Sequence, residues 1–168
     1  MKKQWEILEV WLKANNPTLM ADLNPPASDA DIQELEKKIG ANLPKDFVEC
    51  LKVHNGQKGE AKWLFSGLEF LSSQRILDEW AIWKNLLDGG DFDGLVAEPD
   101  VGIQPVWWSP KWIPFTYNGA GDHLCLDLDP ACGGQAGQVI TLWHDDGERK
   151  KKSDSFAQWF SEFVDNTL

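Results

Sequence analysis

The run Asn118-Gly-Ala-Gly-Asp-His-Leu-Cys-Leu-Asp-Leu-Asp-Pro130 gathers two glycines, three aspartates, a histidine and a cysteine. Such residues can bind a metal, cradle a phosphate or hydrolyse a bond, and spacing decides among these. Zinc takes four ligands, typically in close pairs such as C-x2-C. Cys125 and Cys132 have no second pair, and His54 and His144 are remote in sequence. A calcium loop needs further carboxylates and a glycine after its first aspartates, but Pro130 and Ala131 follow Asp127-Leu128-Asp129. Gly119-Ala120-Gly121 lacks a third glycine in register and leads into a strand pattern, so no helix N-terminus awaits an anion. The residues therefore specify neither a metal nor a cofactor.

Catalysis is no better supported. Triads can be drawn from Ser109, His123 and Asp127, or from Cys125, His144 and Asp146, but nothing sets a nucleophile on a sharp elbow or a helix start. His123 and Cys125 lie about 6–7 Å apart along one strand, too far for an assured hydrogen bond. Asp145 and Asp146 sit beside Gly147, which reads as a turn. No catalytic residue is assigned, and the chain is not expected to be an enzyme. The run is instead a tight hairpin, with glycines supplying positive φ, feeding a strand. On that strand Leu124, Leu126 and Leu128 share the core face. His123, Cys125, Asp127 and Asp129 share the other, which is either a site or the wet side of a sheet.

The elements that position this strand follow from periodicity and punctuation. Residues 3–14 carry apolar residues at helical spacing, and residues 17–27 read as a proline-rich connection. Ser28 caps a helix with Ile32, Leu35 and Ile39 on its apolar face, closed by Gly40. Leu43-Pro44 opens a third helix, and Ser72 or Ser73 caps a fourth, with Ile76, Leu77, Trp80, Trp83 and Leu87 buried. Residues 63–71 read as one or two short strands. Residues 88–105, acidic and rich in glycine and proline, read as a long surface loop. Short β-rich runs follow at 106–108, 112–117, 123–129 and 138–144, with turn residues between them, as in an antiparallel meander. Pro114 marks an edge or a bulge. Arg149–Lys152 reads as a solvated turn, and 155–166 returns to helix. The order predicts an α+β fold, helices packed on an antiparallel or mixed sheet.

With 168 residues, 42% of them hydrophobic, the chain can bury a substantial core. The net charge of −11 disfavours nucleic acid and anionic membranes and suits a basic protein partner. Three scattered cysteines indicate a reducing compartment. The first residues form neither a signal peptide nor a membrane span, so a soluble cytoplasmic protein is expected.

Several stretches are familiar in combination. Ile32, Leu35, Glu36 and Gly40 lead into Leu43-Pro44-Lys45-Asp46-Phe47 and His54-Asn55-Gly56. Trp112-Ile113-Pro114-Phe115, the Gly119–Pro130 run, Gly137-Gln138-Val139-Ile140, Trp143-His144-Asp145 and Ser155-Phe156 with Trp159 follow in order. This series resembles the SUKH superfamily, more narrowly its Smi/Knr branch. The resemblance implies a SUKH-like α+β domain spanning 1–168, with a core of about 26–165 and the 3–14 helix added. It also implies protein binding without catalysis. Bacterial members are mostly immunity proteins that neutralise a cognate toxin, often a nuclease or deaminase. Fungal relatives regulate cell-wall synthesis and signalling and carry disordered extensions. The lack of such extensions here points to the bacterial type, with a regulatory scaffold as the alternative.

An inhibitor of a nuclease must cover a basic surface, which acidic groups with aromatic anchors do well. The expected partner surface comprises Trp107, Trp108, Asp122, His123, Asp127, Asp129, Asp145 and Asp146, with Asp91, Asp93, Glu98 and Asp100 of the acidic loop. The loop and the Trp107-Trp108 pair are its foremost parts. Trp112 and Trp143 are assigned to the core before the surface.

Overall fold

A computed structural model describes residues 1–168, and its elements follow the α+β order read above. The helices are α1 (Lys2–Asn15), α2 (Pro17–Asp22), α3 (Asp29–Ile39), α4 (Lys45–Leu51), α5 (Ser73–Asp88) and α6 (Phe156–Thr167). Ser28 caps α3 reciprocally: its Oγ accepts from the Asp31 N–H at 3.0 Å, and Asp31 Oδ2 accepts from the Ser28 N–H at 2.9 Å. Gly40 closes the helix in the left-handed region at φ +70°, and Ser72 caps α5. The 17–27 connection is not merely a linker. Pro17 starts α2, where its missing N–H costs nothing, and Asn16 caps it through the Leu19 N–H.

The strands are β1 (Glu69–Phe70), β2 (Glu98–Pro99), β3 (Trp112–Pro114), β4 (Thr116–Tyr117), β5 (His123–Asp127), β6 (Gln138–Leu142), β7 (Glu148–Arg149) and β8 (Lys151–Ser153). The main sheet has the order β3-β5-β6-β8 and is antiparallel throughout. Pro114 sits on its edge strand, as a residue without an N–H must. Beyond Pro114 the Phe115 N–H still donates to the Leu124 carbonyl at 3.0 Å, and β4 pairs with β1. Residues 106–108 form no strand. The fourth strand comes from the basic block 149–152, read as a solvated turn, because β6 offers its free edge there. The 88–105 segment is tied down as well: β2 pairs with β7, in parallel.

Alternation along the strands sorts two cores. Ile113, Leu124, Leu126 and Val139 join the main cluster with α1, α3, α4 and α6. Trp112, Cys125, Ile140 and Leu142 point the other way into a second cluster with Trp83, Ile103 and Trp108. The sheet is therefore covered on both faces, and the polar side of β5 is not its wet side. Trp112 belongs to the core, as expected, and Trp143 is half-buried.

A buried and a half-buried amide brace the helical half. The Gln57 side chain donates to Asp22 Oδ2 at 2.8 Å and accepts from the Leu64 and Phe70 N–H groups at 2.9 and 3.0 Å. The Asn55 side chain accepts from the Ser73 N–H at 2.8 Å. Gly56 lies so close to the Leu71 and Ser72 backbone that a Cβ would overlap it. The His54-Asn55-Gly56 stretch is thus a joint between α4 and α5.

Candidate partner-binding site

The hairpin reading of 118–122 is confirmed atom by atom. Asn118 Oδ1 accepts from the Ala120 and Asp122 N–H groups at 2.8 and 3.0 Å, and Gly119 and Gly121 have φ of +85° and +97°. Asp122 then reaches across to the segment after β6. Its Oδ1 accepts from the His144 N–H at 2.9 Å and from His144 Nδ1–H at 2.7 Å. Burial opposes ionisation of Asp122, but those bonds and the Asn118 amide outweigh it and hold the carboxyl below its usual range. The same bond raises the pKa of His144. Ligating atoms of Asp122, His144 and Asp145 lie within 4.8 Å of one another; the Asp122–His144 bond accounts for two of the three, and Asp145 follows His144 in the chain.

The other face of β5 departs from the expectation. His123, Cys125 and Asp127 are all buried, because α5 and the 100–112 segment roof that face. Asp127 accepts from Gln138 Nε2 at 2.9 Å and from the Asp129 N–H at 3.0 Å. Desolvation nonetheless raises its pKa. Gln138 also donates to the Gly102 carbonyl at 2.9 Å, so this pair clamps two loops. Neither triad assembles: His123 bonds Thr116, His144 bonds Asp122, and Asp146 Oδ1 accepts from the Glu148 N–H. Burial pushes the Cys125 thiol upward, opposite to what a nucleophilic thiolate needs.

Trp108 is likewise interior, packed on Trp80 and Trp83. Trp107 is half-buried, and the Arg149 guanidinium lies 5.0 Å over its ring. Arg149 is fully buried without a carboxylate partner. It donates to the carbonyls of Trp107, Asp146 and Glu148, and desolvation lowers its pKa. The residues that do face solvent are Asp91, Asp93, Glu98, Asp100, Asp129, Asp145 and Asp146, with Asp122 half-buried. The β2–β7 pairing brings Glu98 and Asp100 beside the 145–149 turn, where the Asp100 N–H donates to the Arg149 carbonyl at 2.8 Å. Trp108, His123 and Asp127 thus support this acidic surface from within and do not form it.

Sequence reasoning missed Glu79, Arg75 and Arg149. Glu79 is buried on α5 and ion-paired to Arg75 at 2.9 Å. The available signal was its position three after Ile76 and four before Trp83, a carboxylate on the apolar helix face. Arg149 carried no comparable signal, since its neighbours are all charged.

Comparison with known proteins bears on this arrangement. The family model described as SMI1 / KNR4 family (SUKH-1) matches residues 26–162. The fission-yeast "Cell wall biosynthesis/cell cycle regulator smi1" (Schizosaccharomyces pombe) is 27% identical over 96% of this chain and 35% of its own length. The Saccharomyces cerevisiae "Cell wall assembly regulator SMI1" is 22% identical over 96% of this chain and 39% of its own. "F-box only protein 3" of Rattus norvegicus is 34% identical over the full chain and 34% of its own length. The chain thus spans about a third of the length of these curated relatives. The two yeast relatives are named as regulators. No helix is long and apolar enough to cross a membrane. With the motifs set out above lying in order through the matched span, the chain belongs to the SMI1 / KNR4 family (SUKH-1).

Proposed function

We propose that this chain is the protein-binding module of a regulator of cell-wall or signalling assembly and acts by contact rather than by catalysis. The observation that carries the reading is its similarity, over nearly its whole length, to proteins named as cell-wall regulators. The chemistry is compatible. The residues that looked reactive are buried or bonded within the chain, while an acidic surface from the 88–105 segment and the 145–149 turn stays exposed. Such a surface selects a basic partner, steers its approach and weakens with salt. Affinity capture from the native cell, paired with deletion of the gene, tests this. The expected result is a small set of captured assembly or signalling proteins and a cell-wall defect on deletion. Wild-type wall integrity with nothing captured would sink it.

The net charge of −11 also favours a second reading, an immunity protein for a basic nuclease or deaminase toxin. Co-expression with toxin domains encoded beside the gene separates the two: rescue from toxicity supports immunity, and its failure leaves the regulatory reading.

A further inference from the structure

Between α5 and the 117–123 hairpin lies a pocket of about 480 Å³. Trp83, Leu86, Phe92 and Tyr117 line its walls, and the exposed Ile82 and Ala120 stand at its mouth. Its floor holds two buried polar groups, Glu79 and His123, with 7% and 2% of their surface exposed.

These two groups are both acceptors. His123 Nδ1 lies 2.7 Å from the Thr116 carbonyl, which can only accept, so that nitrogen carries the proton. Burial holds the imidazole below its ordinary pKa although the Thr116 bond and Glu79 pull the other way. Nε2 is then a bare lone pair. It has no hydrogen-bond partner and lies 3.7 Å from Glu79 Oε2. The other Glu79 oxygen is taken by Arg75 at 2.9 Å, and Arg75 also pairs with Glu69 at 3.1 Å. Two carboxylates against one guanidinium leave the cluster beneath the pocket net negative. Two facing acceptors cannot satisfy each other, and a donor at Glu79 Oε2 relieves their opposition.

We propose that this pocket receives an arginine side chain of a partner protein, its guanidinium donating to Glu79 Oε2 beside the buried His123 ring. The proposal rests on the protein-binding reading above. A guanidinium presents several N–H groups in a fixed fork, is weakly hydrated and stacks on aromatic faces. Trp83, Phe92 and Tyr117 give the pocket an aromatic lining, in which Tyr117 already stacks on His123 and carries Arg75 over its ring. Lysine, a compact and strongly hydrated point charge, fits less well. Ile82 and Leu86, 54% and 37% exposed, extend the apolar wall outward for the residues flanking the arginine. The chain's net charge of −11 draws a basic segment towards it.

The test titrates the full, ¹⁵N-labelled chain with acetyl-Gly-Gly-Arg-Gly-Gly-amide and with its citrulline and lysine counterparts. The arginine peptide should move the His123 ring and Trp83 indole resonances. It should bind about tenfold tighter than the neutral citrulline peptide, the worth of one charge-assisted bond, and more tightly than the lysine peptide. Ala120→Trp changes an exposed residue outside the buried network and should block the mouth and abolish binding in a chain that remains folded. Equal binding of the citrulline or lysine peptide overturns the proposal, as does binding unaffected by Ala120→Trp. Capture of cellular partners that survives Ala120→Trp also overturns the pocket assignment and leaves the protein-binding reading standing. Arginine-specific occupancy with no cellular partner does the reverse: it supports the pocket and removes the reading.

Discussion

Asp127 and Gln138 face each other across β5 and β6, and the Gln138 amide donates to the Asp127 carboxylate at 2.9 Å in the protein interior. The same amide holds the Gly102 carbonyl. This cross-strand pair therefore fastens the 88–105 segment to the sheet. Gln138→Leu strips a buried carboxylate and a buried carbonyl of their donor. It should cost about 3 kcal/mol in urea unfolding. Because burial raises the pKa of Asp127 above its unfolded value, its contribution falls as pH climbs from the unfolded value through the raised one. A carboxyl ¹³C titration of Asp127 with a midpoint at or below 3.8 would contradict this.

Gly56 and Gly40 share a left-handed backbone, at φ +68° and +70°, yet their surroundings differ. A Cβ at Gly40 meets nothing, whereas at Gly56 it enters the Leu71–Ser72 backbone. Gly40→Ala should lose about 1–2 kcal/mol, the cost of the conformation. Gly56→Ala should lose clearly more, about 3 kcal/mol or above, as steric overlap adds to it. Equal losses by chemical denaturation would show that the α4–α5 joint yields.

The two histidines flanking the hairpin should titrate on opposite sides of 6.5. His144, bonded to Asp122, is raised and stays protonated further into neutral pH. Its contribution to stability is complete below 6.5 and fades as pH rises through the raised value. Asp122 is depressed, so its share is present above about pH 4 and is lost as pH falls. His123 is lowered by burial. The unfolded chain then takes up a proton that the folded chain resists, and stability declines as pH drops below 6.5. Imidazole NMR titrations check the two histidines and a carboxyl ¹³C titration checks Asp122, and Asp122→Asn should return His144 towards 6.5.

Arg149 satisfies three backbone carbonyls and lies over Trp107. Arg149→Leu should cost about 3 kcal/mol by leaving those carbonyls unpaired and should alter the Trp107 environment, visible in tryptophan fluorescence. Arg149→Lys should rescue little, since a single ammonium cannot span the same fork. Full rescue by lysine would mean that charge alone matters there.

Much of the framework was legible in the chain. Ser28 and Gly40 bracket α3 because capping and left-handed closure are local chemistry. Asn118, Gly119 and Gly121 announce a tight hairpin for the same reason, and Pro114 marks an edge because it lacks an N–H. The errors arose where a local signal has two readings. Pro17 starts a helix as readily as it ends one. Lys151–Ser153 became a strand only because β6 had an edge to offer.

The candidate surface was half legible. The exposed aspartates of the 88–105 segment and the 145–146 turn could be found from charge and turn chemistry, but His123, Asp127 and Trp108 could not be placed. Alternation established that β5 has two distinct faces, since side chains must point to opposite sides. It could not say what covers each face. That was decided by α5 and the 100–112 segment folding over the second one, which turned an apparent wet face into a buried network and left His123 and Glu79 at the floor of a pocket. Local rules fix backbone shape within a few residues; burial depends on which distant segments pack together, and only the tertiary structure supplies that.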